Sequence, residues 1–245
     1  MISTISTGIG AGFFWLYTNI YEIFHNNLLW QEGQSIITIL AVFAVIFYLL
    51  YKPGVYLIVF LLCFSCFFFR NPDRVCREAE HDSSVLVSPC DGTVLDIEQQ
   101  GLHDTGGIGE TGGYKISIFL NVFDVHVNWV PCAGVIKNSI YHPGKFYCAF
   151  LPKASELNER NELVIEREDG TCVRIVQITG TIARTIVCWV KEQQKVCVGQ
   201  KFGMMKFGSR IDLFLPAHVQ LEVVQGQYVR GGETVIGTFL GKSFS

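Results

Sequence analysis

Two unlike patterns of apolar and polar residues divide the chain. Ser35–Tyr51 is an apolar run of 17 residues, and Val55–Phe69 is a second run of 15. Lys52-Pro53-Gly54 separates them. One helix through both would be about 50 Å long, against a hydrocarbon core of about 30 Å. Proline and glycine at the break therefore predict a hairpin or two short spans. Neither run carries the polar stripe of a soluble amphipathic helix, which argues against a buried helical pair. Gly8–Trp30 is aromatic and patchy, as in an interfacial segment. No basic stretch precedes the first apolar residues, so no cleaved signal is expected.

From Val85 onward the pattern changes to short, alternating or β-branched stretches. They are Val85–Val87, Gly92–Ile97, Lys115–Val122, Gly134–Ile140, Leu163–Arg167, Cys172–Thr179, Ile182–Trp189, Ile211–Leu215 and Val219–Val223. Gly, Pro and Asp punctuate them. Only Ala154–Asn161 has short helical character, and glycine-rich Thr105–Gly113 reads as a hairpin tip. The prediction is a mainly β fold, a β-rich sandwich with few short helices, preceded by an N-terminal hydrophobic helical membrane anchor. The domains are residues 1–70 and 71–245. Val196–Phe202 and Val223–Gly237 share a valine–glycine theme like the hairpins of lipoyl- and biotinyl-type sandwiches, but no lysine sits at a tip as a carrier site would need. That likeness is one of architecture only.

Charge sharpens the division. Residues 1–70 hold two cations and two anions, whereas 71–245 hold the other 17 and 20. A net charge of −3 leaves no footprint for nucleic acid. Arg70, Arg74 and Arg77 follow the second apolar run, and residues 1–34 contain no Lys or Arg. The positive-inside rule then places the globular part in the cytoplasm, at the cell (inner) membrane. The nine cysteines are odd in number and scattered, which suits buried thiols in a reducing compartment. Cys63 and Cys66 form a C-x-x-C without a second pair in an apolar run, so no metal is expected.

Three stretches could carry chemistry. Ile116, Ile118, Leu120 and Val122 share one face of a strand, and the same alternation continues into Asp124, His126 and Asn128. This is either a strand emerging into solvent or a polar site at the end of a buried strand. In the second case an oriented imidazole could act near neutral pH. Ser88-Pro89-Cys90-Asp91-Gly92 reads by itself as a turn. In Lys206-Phe207-Gly208-Ser209-Arg210-Ile211-Asp212, glycine permits a strained backbone, and the next hydroxyl could attack its carbonyl if a base took the proton.

Six pieces occur in an order that resembles phosphatidylserine decarboxylase proenzymes, nearest to their short bacterial and archaeal branch. They are Phe69–Arg74, Ser88–Gly92, Asn121–Asn128, Tyr141–Phe146, Asn158–Asn161 and Phe207–Asp212, and the resemblance covers about residues 65–240. It implies self-cleavage between Gly208 and Ser209, giving a large chain 1–208 and a small chain 209–245 that remain associated. It implies a pyruvoyl group made from Ser209 as the covalent cofactor. That group would form a Schiff base with phosphatidylserine, releasing carbon dioxide and leaving phosphatidylethanolamine. By the same resemblance Ser209, His126 and Asp91 are catalytic, with His126 the base for self-cleavage, oriented by Asp91, and a later proton donor. Trp129 stands where the long branch carries a second histidine. His142 is a reserve candidate for proton transfer. Lys145, Asn158, Arg160 and His142 are candidate head-group contacts, and Arg70 and Arg74 would meet anionic lipid at about 1 kcal/mol per cation. The family commonly forms homo-oligomers. The rival reading is a non-enzymatic membrane-anchored adaptor, which gives no reason for the row Asp124, His126, Asn128.

Overall fold

A computed structural model describes residues 31–101, 112–149, 157–181, 185–206 and 208–240. The expected interfacial segment Gly8–Trp30 lies outside these residues, as do most of Thr105–Gly113, the first part of Ala154–Asn161 and the start of Ile182–Trp189. The chain forms two compact units, Met1–Asp73 and Arg74–Ser245.

In the first unit, helix α1 (Gln31–Leu50) and helix α2 (Lys52–Phe68) form an antiparallel hairpin. Tyr51 breaks the helical geometry between them, with φ −153° and ψ 79°, and Pro53 lies in the first turn of α2, where it displaces no hydrogen bond. Phe69 lies over Gly33 at one end of the pair, and Phe47 lies over Gly54 at the other. Glu32–Leu50 has a mean hydropathy of 2.2 and is long and apolar enough to cross a membrane. Its outward side chains are bare, Leu49 being 74% and Leu50 80% exposed, and Tyr56 on α2 is 81% exposed. This apolar surface makes the helix a candidate membrane anchor. Arg70 stacks on Phe67 and donates to its carbonyl at 2.9 Å, closing the C-terminal end of α2.

The second unit is mainly β, as the alternation predicts. After the short helix α3 (Arg77–His81), all strand pairs are antiparallel. The long sheet contains β2 (Gly92–Gln100), β3 (Gly113–Leu120), β5 (Gly134–His142), β6 (Arg160–Glu166), β7 (Cys172–Thr179), β9 (Lys195–Val196), β11 (Ser209–Pro216) and β13 (Tyr228–Val229). Its spatial order is β13-β2-β3-β11-β7-β6-β5-β9. Two three-stranded sheets complete the unit. One places β14 (Val235–Phe239) between β1 (Val85–Val87) and β12 (Val219–Leu221). The other places β10 (Lys201–Met205) between β4 (Val127–Trp129) and β8 (Ile186–Cys188). Ile116, Ile118, Ile175, Phe202, Ile211, Leu213 and Ile236 pack in one core drawn from all three sheets. The nine cysteines are free thiols. Burial pushes the Cys132 thiol up to about 12, so it behaves as an inert apolar side chain.

Two expectations are corrected. Lys115–Val122 does not run on in register to Asn128. The strand ends at Leu120, the chain turns over Asn121–Asp124, and β4 enters another sheet. The turn forms because the Asp124 carboxylate accepts the Asn121 N–H at 2.7 Å and the Asp124 N–H meets the Asn121 carbonyl at 2.9 Å. The second correction concerns the extent of Ala154–Asn161: its first described residue, Leu157, is helical, and the helix ends there. Asn158 bridges to Lys145, and Arg160 opens β6. The cause is the Asn158 side chain. It donates to the carbonyls of Tyr147 (2.8 Å) and Thr179 (2.7 Å) and accepts the Tyr147 N–H at 2.9 Å. Tertiary bonds to a fully buried amide here override local helical propensity.

Replacing Asn158 by Leu leaves these backbone groups unpaired in the interior. An equilibrium unfolding curve in detergent should show a loss of about 3 kcal/mol.

Candidate active site

Strand β11 lies inside the long sheet and is paired along both edges. Its first residue, Ser209, is opposite Leu120 of β3 and Thr179 of β7. Ser209 is fully buried, and its Oγ has no hydrogen-bond partner among the described residues. An unsatisfied buried hydroxyl costs about 1–3 kcal/mol, so it marks either strain or chemistry. The preceding residue adds to the effect. Gly208 has φ +67°, in the left-handed region where a side chain costs about 1–2 kcal/mol. The Gly-Ser pair thus combines a conformation suited to glycine with a hydroxyl held out of water.

His126 reaches Gly208 from the Asn121–Asp124 turn, meeting its N–H on the side away from Ser209. Its Nδ1 lies 2.9 Å from the Asp124 carbonyl, and the Gly208 N–H points at its Nε2 from 3.3 Å. A carbonyl only accepts, so Nδ1 carries the proton and donates. Nε2 then has its lone pair directed at Gly208. These partners select one neutral tautomer, whose basic nitrogen accepts the Gly208 N–H one residue before Ser209. The Asp124 carboxylate is engaged elsewhere. Besides closing its turn it accepts the Tyr228 hydroxyl at 2.8 Å. Burial, followed by that hydrogen bond, raises the Tyr228 phenol well above its ordinary range, so Tyr228 stays a donor.

Asp91 is buried immediately before β2. Arg74 holds it in a two-pronged ion pair, Nη1 to Oδ1 and Nη2 to Oδ2, the latter at 3.0 Å. The Gly231 N–H adds 2.8 Å to Oδ1, and Arg74 also donates to the Gly231 carbonyl at 2.9 Å. The guanidinium lies over the Trp129 ring, 4.9 Å from its centroid. Trp129 therefore serves as the platform of this pair. The expectation that Asp91 orients His126 is not what these contacts show: Asp91 faces Arg74 and Gly231, and the ring of His126 rests on the Asp124 carbonyl. Arg74 accordingly is buried at this pair, where the sequence suggested a lipid contact.

The candidate head-group residues lie at the end of the sheet where Ser209 sits. The row Leu120–Ser209–Thr179 continues to Glu159, whose carbonyl accepts the Thr179 N–H at 3.0 Å. Arg160 follows on β6, opposite His142 on β5, and Lys145 bridges to Asn158. Lys145 is exposed, and His142 and Arg160 are half-buried. Asn158 is buried with its amide committed to the main chain, as described above. A further buried chain of amides has no counterpart in the sequence reading. Asn161 Nδ2 donates to Gln177 Oε1 at 3.0 Å, and Gln177 Nε2 donates to Asn128 Oδ1 at 2.8 Å. Nothing in the spacing of residues 128, 161 and 177 announces it, because the register of β6 on β7 creates it.

Breaking the Arg74–Asp91 pair from one side should be costly. Arg74→Met should lower stability by about 3–5 kcal/mol in chemical unfolding, because a buried carboxylate loses its counter-charge. Adding Asp91→Leu should recover a large part of that loss.

Comparison with known proteins gives the family. Residues 61–237 match the family model described as phosphatidylserine decarboxylase. The chain is 45% identical over 176 residues to the phosphatidylserine decarboxylase proenzyme of Syntrophus aciditrophicus (strain SB), covering 72% of this chain and 80% of that protein. It is 38% identical over 226 residues to the proenzyme of the same description from Rickettsia typhi (strain ATCC VR-144 / Wilmington), covering 91% and 93%. The Rickettsia prowazekii (strain Madrid E) protein matches to the same extent. Matched by the family model over residues 61–237 and by relatives 38–45% identical over most of its length, the chain belongs to the phosphatidylserine decarboxylase family.

Proposed function

We propose that the chain is a proenzyme that cuts itself before Ser209 and then decarboxylates phosphatidylserine to phosphatidylethanolamine. The observation that carries this reading is the gathering of three groups around Gly208-Ser209: the unpartnered Ser209 hydroxyl, the left-handed Gly208 and His126, whose Nε2 meets the Gly208 N–H.

In the first step Nε2 exchanges the Gly208 N–H for the Ser209 hydroxyl and takes its proton, and Oγ bonds to the Gly208 carbonyl carbon. The carbon–nitrogen bond breaks, the Ser209 nitrogen takes up a proton, and an ester replaces the amide. A base then removes the Ser209 Cα proton while the Gly208 carboxylate departs with Oγ. The dehydroalanine left behind tautomerises, and water releases its nitrogen as ammonia. The products are a large chain 1–208 and a small chain 209–245. The pyruvoyl group at the head of the small chain supplies a ketone that condenses with the substrate amine and accepts the electron pair left by carbon dioxide. Position 209 fits such a group, being small, buried and fixed by strand pairing on both sides.

His126 is the base of the first step and afterwards holds a proton near the carbon that loses carbon dioxide. Asp124 orients it through its carbonyl. Asp91 acts through Arg74 and Gly231, keeping the segment that follows β13 in place. Lys145, Arg160 and His142 supply positive or hydrogen-bonding groups for the serine head group. Asn158 shapes the loop that presents them. The substrate is a lipid, and Glu32–Leu50 suits an anchor in the inner membrane with the catalytic unit on the cytoplasmic side.

Ser209→Ala should remain a single chain of about 27.5 kDa without decarboxylase activity. A denaturing gel that shows two pieces from this variant would overturn the reading. His126→Ala should slow cleavage by about 100-fold or more, since a hydroxyl without a base is a poor nucleophile. The time course of small-chain appearance measures it.

A further inference from the structure

Gly180 and Gly208 face one another just beyond the last rung of a ladder. Thr179 ends β7 opposite Ser209, the first residue of β11. Antiparallel register then sets Gly180 opposite Gly208. The two glycines answer different demands. At Gly208 a Cβ would meet nothing within 4 Å, and what favours glycine is φ +67°. Gly180 is not among the residues of positive φ, so its backbone suits any side chain. What it lacks is space. A Cβ there would stand 2.3 Å from the Gly208 carbonyl oxygen and 3.2 Å from the carbonyl carbon, with the Ala149 Cβ at 3.3 Å. Real Cβ atoms do not approach an oxygen to that distance, and here the oxygen is backbone with Ala149 close by. The Gly208 carbonyl therefore occupies the volume that any side chain at position 180 would need.

We propose that Gly180 is a positioning residue for self-cleavage, its bare Cα being the seat on which the Gly208 carbonyl rests. This assignment rests on the self-cleavage reading above. The left-handed turn at Gly208 swings the peptide carbonyl out of the ladder and onto Gly180. Nitrogen on the other side of the bond is fixed by the pairing of Ser209. With oxygen and nitrogen both held, the carbonyl carbon has one orientation towards the hydroxyl of Ser209. Self-cleavage needs this alignment because the attacking and attacked atoms belong to adjacent residues and cannot diffuse together. A methyl group at position 180 pushes the oxygen off its seat and turns the carbon away. The stage affected is ester formation, before any proton leaves Cα.

The test uses the full-length chain in detergent and follows appearance of the small chain by mass spectrometry. Gly180→Ala should cut about 100-fold more slowly than the unaltered chain, the loss that a misplacement of about 1 Å brings. Hydroxylamine, which cuts esters but not amides, should not release the small chain from this variant. Its thermal midpoint should match that of the uncut Ser209→Ala chain. Adding Ala149→Gly, which removes the opposing wall, should recover at least part of the cutting rate. Cutting of Gly180→Ala at the unaltered rate overturns the assignment, as does a lowered midpoint with no recovery on adding Ala149→Gly. If the unaltered chain itself stays whole, the self-cleavage reading fails instead.

Discussion

The double pairing of β11 is the constraint from which the site follows. An antiparallel ladder fixes each residue against its partner, and a slip of one residue would turn Ser209 to the opposite face of the sheet. Leu120, the partner of Ser209 on β3, is also the last residue before the turn that carries Asp124. The same rung therefore positions the serine and the start of the segment that brings His126 back across Gly208. Thr179, on the other edge, closes that rung and leads into Gly180. The chemistry is assembled less by side chains meeting by chance than by three strand ends held level.

Charge is handled separately from this alignment. Asp91, Arg74 and the Gly231 amide form a buried cluster whose members come from the start of the unit, the turn before β2 and the loop after β13. A buried pair of this kind contributes little net stability when complete and much instability when broken. Its value lies in specifying which segments meet. Trp129 adds an apolar platform that shields the guanidinium from water and leaves its two-pronged geometry intact. A residue in the position of a second histidine thereby holds a structural pair together.

The fold was legible where periodicity is strong. Cys172–Thr179 and Val85–Val87 coincide with strands, and the core faces of β3 and β11 follow simple alternation. It was illegible where two or three residues make a strand, as at Lys195–Val196 and Tyr228–Val229, because so short a segment has no period of its own. The apparent continuation of one face from Ile116 to Asn128 misled for a physical reason. Asp124 is at once the next polar residue in the alternation and the acceptor that bends the chain, and the local turn prevails. Ser209, His126 and Asp91 could be singled out from motif order. Their partners could not. The Asp124 carbonyl, the Gly231 amide and the bare Cα of Gly180 are backbone features, and a sequence records side chains.

The route of the chain after Gly208 bears on what the proposed cut before Ser209 would leave. Those residues do not form a peripheral tail. They supply the inner strand β11, the edge strand β13 beside β2, and β14 threaded between β1 and β12, so they are woven into two sheets. With the proposed cut, residues 209–245 would stay in place as an interlocked strand set, and the loss of one covalent link would not open the interior. The proposed cut would also have to follow folding, because the strands bring Gly208, Ser209 and His126 together only in the finished weave.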